Sequence, residues 1–339
     1  MSTANRRRDG GERGVALLMV LWVFMVLTVL VAEFSRSMRD DAVAAQNVAE
    51  EVQARGVAIA GMNTAIYRTL RMREQHGGDD ATQVDEEEED PWLPDGTWHN
   101  GPYGAGTYAV RMIDEGGKIS LYRPDEALLR HIFQNLGLDQ DAQVVLTDSI
   151  LDWRDADSLR RLHGAEADYY LKKPVPYRPK NGPFDSVDEL LLVRGVTREL
   201  FFGIPPVGLG RDQGPPPVPL KEIFSAFNKT GNINVRYAPA AVLRVLLSRG
   251  NGEDVDADVE EVIAARTSDP DSALALLRAK VGDPLARRLV DRKAHTIAID
   301  ARAAMQAGQV QARLGAVVEL ADDTEGFHVA RWFDRLPAI

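Results

Sequence analysis

Five carboxylates crowd one short stretch, ILDWRDADSLRRLHGAEAD, as Asp152, Asp155, Asp157, Glu166 and Asp168. Oxygen-only donors at this density suit a hard cation such as calcium. The spacing is not that of an EF-hand, because no Gly and Glu fall at the required loop positions. The same residues also have a plainer use, with Asp155 capping a helix and the rest as solvated charge. His163, close in sequence to Asp157 and Glu166, supplies the residue types for acid–base transfer. The six histidines are otherwise scattered, and no H-E-x-x-H, G-x-S-x-G, P-loop or G-x-G-x-x-G pattern occurs. Ser149 and Ser158 have no base partner in sequence and read as caps or surface residues. The chain has no cysteine, which excludes disulfides, thiolate catalysis and Cys-based zinc or iron–sulfur sites. No enzyme is expected on these grounds.

Two further stretches invite a chemical reading. The run Asp85–Asp90 (DEEEED) could hold divalent cations loosely, or form a solvated face. FDSVDELLLVRGVTREL resembles a helix-hairpin-helix, which in nucleic-acid binders offers backbone N–H groups to phosphate. Here Arg194 and Arg198 flank Gly195 amid Asp185, Asp188, Glu189 and Glu199. That balance favours a packing motif with Phe184, Val187, Leu190, Leu191, Val193 and Val196 as its core. The whole chain has 51 acidic against 40 basic residues, a net charge of -11, so no nucleic-acid partner is expected.

The elements that must position these residues begin with an anchor. Arg6, Arg7, Arg8 and Arg13 precede the uncharged run Val15–Ala32, near the minimum length for a bilayer-spanning helix. The arginine excess predicts a cytoplasmic N-terminus and a single pass through the membrane. The run ends AEFSRSM, unlike a signal-peptidase site. Helical character continues to about Arg73, with Val48, Val52, Ile59, Met62 and Ile66 as an apolar stripe, although Gly56 and Gly61 weaken it. Residues 74–104 read as loop, tied to a surface by Trp92, Trp98 and Tyr103. TYAVRMIDEGGKISLY reads as a hairpin turning at Glu115–Gly117. Helical periods fill 124–136, 141–152, 155–172, 185–193, 197–202, 238–249, 256–266, 270–279 and 283–291. Three strands, 295–303, 310–321 and 326–333, close the chain. GKISLYRPDEALLR (117–130) and GNINVRYAPAAVLR (231–244) match at an offset of 114, which suggests a duplication of 117–172 and 231–291.

The start ERGVALLMVLWVFMVLTVLVAEF resembles a type IV pilin-like precursor. The blocks ILDWRDADSLRRLHGAEADYYLKK, KNGPFDSVDELLLVRGVTRELFFG and GNINV, in that order, resemble the minor pseudopilin of type II secretion systems called general secretion pathway protein K. The resemblance implies an α+β fold: a type IV pilin-like core of a long helix plus antiparallel sheet, with a large helical insertion of SAM-like bundles. It implies a leader at 1–14 cut by prepilin peptidase between Gly14 and Val15. An anchor and assembly helix follows at 15–73, displaying Met19, Trp22, Phe24 and Leu27. Then come a loop and first hairpin at 74–122, the insertion at 123–292, and the last sheet strands at 293–339. Most pilin-like proteins carry glutamate at the fifth mature position, here Met19. The protein K family usually lacks it.

The resemblance also implies structural calcium, with Asp155, Asp157 and Glu166 as ligands and Asp152 and Asp168 in reserve. The expected function is that of a tip subunit of the pseudopilus, initiating or capping assembly and supporting export across the outer membrane. Expected partners are other minor pseudopilins, prepilin peptidase, the inner-membrane assembly platform and secreted substrates. The C-terminal part would lie in the periplasm. Two alternatives stand beside this: a periplasmic binding or catalytic module on an uncleaved signal anchor, and a minor pilin of a type IV pilus.

Overall fold

The computed structural model describes residues 11–75, 92–204, 218–248, 255–305, 311–321 and 326–334. The acidic run Asp85–Asp90 lies outside the described residues. Helix α1 (Gly11–Gln75) is unbroken. Its stretch Val15–Ala32 is apolar on all sides and exposed, whereas Ala54, Val57, Ala58, Met62, Ala65 and Ile66 are buried against a sheet. The expected stripe is therefore half right. Met62 and Ile66 are buried, but Val48 and Val52 lie before the first buried residue and stay exposed.

The sheet is antiparallel in the order β1 (Asp95–Tyr103), β2 (Gly106–Asp114), β7 (Thr296–Met305), β8 (Gln311–Leu320), β9 (Phe327–Phe333). Alternation places Val110, Met112, Ile297, Ile299, Ala301, Leu314, Ala316 and Val318 on the face against α1. Strand β1 corrects the loop reading of 74–104 over its last residues. The expected hairpin is also displaced. It forms between β1 and β2, and Glu115–Gly117 is a 3₁₀ turn that leaves the sheet.

Gly61 lies where α1 meets β2. A Cβ there would lie 2.8 Å from ring carbons of Tyr108, whereas one at Gly56 would meet nothing within 4 Å. Gly61→Ala is therefore expected to lower stability by ~1–2 kcal/mol, since overpacking of ~1–3 kcal/mol outweighs the gain in helix propensity. Gly56→Ala should be neutral or stabilising. Urea midpoints of the two variants test the contrast.

The insertion leaves the sheet after Asp114 and returns before Ile297, which are register partners on neighbouring strands. It has its own core and two halves, each opened and closed by a pair of short parallel strands. In the first, β3 (Ile119–Ser120) leads into α2 (Glu126–Asn135), α3 (Gln140–Arg154), α4 (Ala167–Tyr170), a 3₁₀ turn at Val187–Leu192, α5 (Arg198–Phe202) and α6 (Leu220–Ile223). It closes with β4 (Phe224–Ser225), parallel to β3. In the second, β5 (Ile233–Asn234) leads through α7 (Ala240–Leu247), α8 (Asp256–Ser268), α9 (Pro270–Lys280) and α10 (Asp283–Ala286) to β6 (Leu289–Val290), parallel to β5. Two-residue strands thus clip each half shut at its ends.

A polar clasp joins insertion to sheet. The Asn234 amide donates to Asp114 Oδ2 (2.6 Å) and to the Arg292 carbonyl (3.0 Å), and its oxygen accepts from the Arg292 N–H (3.2 Å). It therefore ties the outgoing strand to the returning one. Asp114 is buried, and desolvation raises its pKa to about 6 against the pull of Asn234 and the Gly116 N–H. A raised carboxyl pKa means that the folded state binds the proton more readily. Stability from this group therefore grows as pH falls from about 6 toward 4 and is lost as pH rises through 6. The full effect is ~3 kcal/mol at about 1.4 kcal/mol per unit. Relative to the parent chain, Asp114→Asn should flatten the rise in melting temperature between pH 7.5 and pH 5.

Candidate functional site

Two features stand out for function, the bare half of α1 and the carboxylate cluster. Along α1, Met19, Trp22, Phe24 and Leu27 are all at least half exposed. Among the described residues this is the one helix long and apolar enough to cross a membrane, with a window of mean hydropathy 2.9 and no burial. Gly14 and Val15 both lie within the helix.

The cluster is built on the C-terminal end of α3. Asp148 and Asp152 stand one turn apart and are buried. Asp155 ends the helix with extended backbone, and its N–H donates to the Leu151 carbonyl. The reading of 155–172 as one helix is corrected here, because only Ala167–Tyr170 is helical. The cause is side-chain competition for the backbone. Asp152 accepts the Arg161 N–H (3.2 Å), Asp148 accepts the His163 N–H (3.0 Å), and Asp157 accepts the Leu159 N–H (2.7 Å). Gly164 completes the return. A Cβ there would collide with the Asp152 carboxylate.

Glu166 is buried at the N-cap position of α4 without capping it. Asp155 Oδ1, both carboxylate oxygens of Glu166 and the amide oxygen of Asn181 are buried without a hydrogen-bond partner. Asn181 has φ 48°, a left-handed conformation that Asn tolerates. Burial raises the pKa of Asp152 to about 6, with the Asp155 charge adding to it. Burial and then Asp157 raise that of Asp155, and burial followed by Asp152 and Asp155 raises that of Glu166. These carboxylates therefore repel one another in a desolvated place. Orphaned oxygens and mutual repulsion are what a hard cation relieves, so the donor set fits one. No ready-made coordinating group of three acidic or histidine side chains occurs among the described residues.

Of the expected ligands, Asp155 and Glu166 point orphaned oxygens inward and Asp152 lies beside them. Asp157 instead spends one oxygen on Leu159, and Asp168 is exposed, 3.6 Å from Arg160. Asn181 was not foreseen. Its signal is the Asn-Gly pair in KNGP, which reads first as a turn. His163 faces Asp148 (3.4 Å) at the surface rather than Asp157 and Glu166. In the hairpin, Gly195 has φ 92° and Arg194 donates to the carbonyls of Gly164 (2.9 Å) and His163 (3.3 Å). Its guanidinium therefore braces the carboxylate loop.

A family model described as "Type II secretion system (T2SS), protein K" matches residues 117–207, the first half of the insertion. Type II secretion system protein K of Pseudomonas aeruginosa is 28% identical over 194 residues, 54% of this chain and 58% of that one. Its counterpart in Pectobacterium carotovorum is 36% identical over 74 residues, 22% of this chain and 23% of that one. Over these segments the chain is similar to type II secretion system protein K. Its matched segments span between about a quarter and three fifths of these curated relatives. A solved structure, the GspK-GspI-GspJ complex from enterotoxigenic Escherichia coli, contains a chain with the same fold. The TM-score is 0.55 at 16% identity, covering 88% of this chain and 99% of that one. The long helix and antiparallel sheet thus share that chain's fold, a pilin-like core, and the carboxylate cluster lies inside the segment that the family model matches.

Proposed function

We propose that this chain is a protein K, a minor pseudopilin at the tip of the type II secretion pseudopilus, which starts or caps assembly and supports export across the outer membrane. The observation that carries this reading is the division of α1. Its apolar half is bare, its second half is fixed to a sheet, and a large insertion rides on that same sheet. Such a helix can first lie in the inner membrane and then exchange lipid for neighbouring helices, a nearly neutral trade for apolar side chains. Prepilin peptidase would cut between Gly14 and Val15. The N-terminus stays cytoplasmic under Arg6–Arg13, and the sheet and insertion lie in the periplasm. Met19 fits the tip position. A buried carboxylate there is costly unless paired, and a tip subunit has no neighbour above to offer its amine.

Partners on this reading are other minor pseudopilins, as in the named Escherichia coli complex, with the assembly platform and secreted proteins as further contacts. Each half of the insertion resembles a SAM-like bundle, and the insertion would crown the filament. Calcium is the suited cation for Asp155, Glu166, Asp152 and Asn181, with Asp157 and Asp168 as outer candidates. Its chemistry is structural: it neutralises buried carboxylates. Asp152 and Asp148 meanwhile hold the loop backbone, and Gly164 leaves room for Asp152.

The reading is tested by co-extracting the full chain from membranes with its two cognate minor pseudopilins. A stoichiometric complex, together with loss of export when the chain is deleted, is the expected outcome. Export that proceeds normally without the chain would reject it.

A further inference from the structure

The face of the sheet turned away from α1 carries a group of arginines. Arg111, Asp300, Arg302 and Arg313 alternate along their strands with Val110, Ala301 and Leu314 of the α1 face, and Trp98 is the register partner of Arg111. Arg313 makes a two-pronged pair with Asp300, Nε to Oδ1 at 3.0 Å and Nη2 to Oδ2 at 2.8 Å. Arg111 meets the same carboxylate more loosely, at 3.2 Å, and Arg302 stands 3.9 Å from it, beyond hydrogen-bond reach. One carboxylate thus faces three guanidinium groups. Arg302 also lies directly across from Arg313 in the register, where like charges destabilise a sheet.

The excess survives a count of the surrounding acids among the described residues, because each has a base of its own. Glu319 is 2.6 Å from Lys229 and Asp334 is 2.5 Å from Arg55. Asp185 and Glu189 are matched by Lys180 and Arg331, and Asp95 by Arg266. The charges of Arg111 and Arg302 therefore remain. Trp98 holds both in place, with guanidinium carbons 4.7 and 4.4 Å from its ring centroid. A guanidinium stacked on an aromatic ring keeps its N–H fork oriented for a carboxylate. The flanking positions Ala109 and Ala304 are small, and Arg302 stays 46% exposed.

We infer that Arg111 and Arg302, seated on Trp98, form a binding site for paired carboxylates presented by an acidic segment of another protein. Charge complementarity selects such a partner. Lipid headgroups are out of reach. Tyr108, beside the site, packs at Gly61, and ~44 Å of unbroken helix, at 1.5 Å per residue, separates Gly61 from the end of the apolar run at Ala32. The chain's own Asp85–Asp90 belong to a segment whose two ends lie across the sheet from the site. One end is Gln75 of α1, and the other is Trp92, which stacks on buried His99 (4.4 Å) beside Arg68 of α1.

The test uses the full chain in detergent, labelled with 5-fluorotryptophan, with the Trp98 fluorine resonance assigned from Trp98→Phe. A random 15-residue peptide library is panned on the parent and on R111Q/R302Q. Enrichment of Asp and Glu is expected on the parent alone. The best acidic peptide should shift the Trp98 resonance, with an affinity that falls at least tenfold in R111Q/R302Q and also falls with added salt. R302Q should melt no lower than the parent, because it relieves the repulsion from Arg313. Acidic enrichment that persists in R111Q/R302Q, or its absence from the parent, would refute the site. An R302Q chain that melts several degrees lower would make the arginine group a structural one. A Trp98 resonance moved by phosphatidylglycerol vesicles would assign the site to lipid. Peptide binding that appears only after Asp85–Asp90 are changed to Asn and Gln would assign it to the chain's own acids.

Discussion

Calcium will raise the melting temperature of the parent chain and leave that of the Asp155→Asn, Glu166→Gln double variant unmoved. A ligand at a thousand times its Kd adds ~4 kcal/mol to the folded state. The parent holds three orphaned carboxylate oxygens and one amide oxygen in buried positions, beside Asp152. Without a cation, burial and mutual charge already push the pKa of Asp152, Asp155 and Glu166 upward, so the ionised cluster opposes folding at neutral pH. Neutralising two of its members removes both the repulsion and the binding. The double variant should therefore melt higher than the parent in chelator and lower than the parent in calcium. A parent chain whose melting curve ignores millimolar calcium would remove the cation from this account, leaving Asp155 and Glu166 as plain buried acids. Asp157→Asn and Asp168→Asn should each retain most of the calcium response, because Asp157 is engaged with Leu159 and Asp168 with Arg160.

The second large effect lies directly beneath the cluster. Trp153→Ala should cost ~3–5 kcal/mol, the range for truncating a buried aromatic residue. Trp153 is almost fully buried. Its ring meets Tyr170 edge-on at 5.4 Å, Tyr177 at 6.3 Å and Phe184 at 6.5 Å, and its Nε1–H donates to Glu189 at 3.3 Å. These contacts fasten the end of α3 to the chain segments that return through Asn181 and the hairpin. Denaturant unfolding followed by far-ultraviolet circular dichroism would measure the loss. The calcium response should weaken along with it, since Asp152 and Asp155 flank the tryptophan. Trp153→Phe, which keeps a ring, should retain most of both.

Much of the molecule was legible because its signals are local. The apolar run, the alanine-rich continuation and the alternating strands at the chain's end each depend on a period within one element. Strand β1 was hidden because DGTWHNGPY has two glycines and a proline and little alternation. It is held by pairing with β2, and by Trp98 packed under the guanidinium groups of Arg111 and Arg302 at 4.7 and 4.4 Å. The helix expected over 155–172 failed for a tertiary reason, the capture of its N–H groups by Asp148 and Asp152 from a different element. Asn181 and Asn234 were missed for the same cause. Each acts on residues far along the chain, and neither position differs locally from an ordinary turn or strand end. Asn234 aligns with Ser120 in the internal repeat, and both use their side chains to secure the ends of a half. This correspondence is the one sequence clue to the clasp.

The most direct test of the central claim is the mass and first residue of the membrane-extracted chain, with and without its prepilin peptidase. A chain that begins at Val15 only when the peptidase is present is the predicted result. An intact N-terminus in the presence of the peptidase would contradict it and leave a module on a plain anchor. A chain beginning beyond Ala32 would contradict it in another way, since the bare half of α1 would then be absent from the working protein.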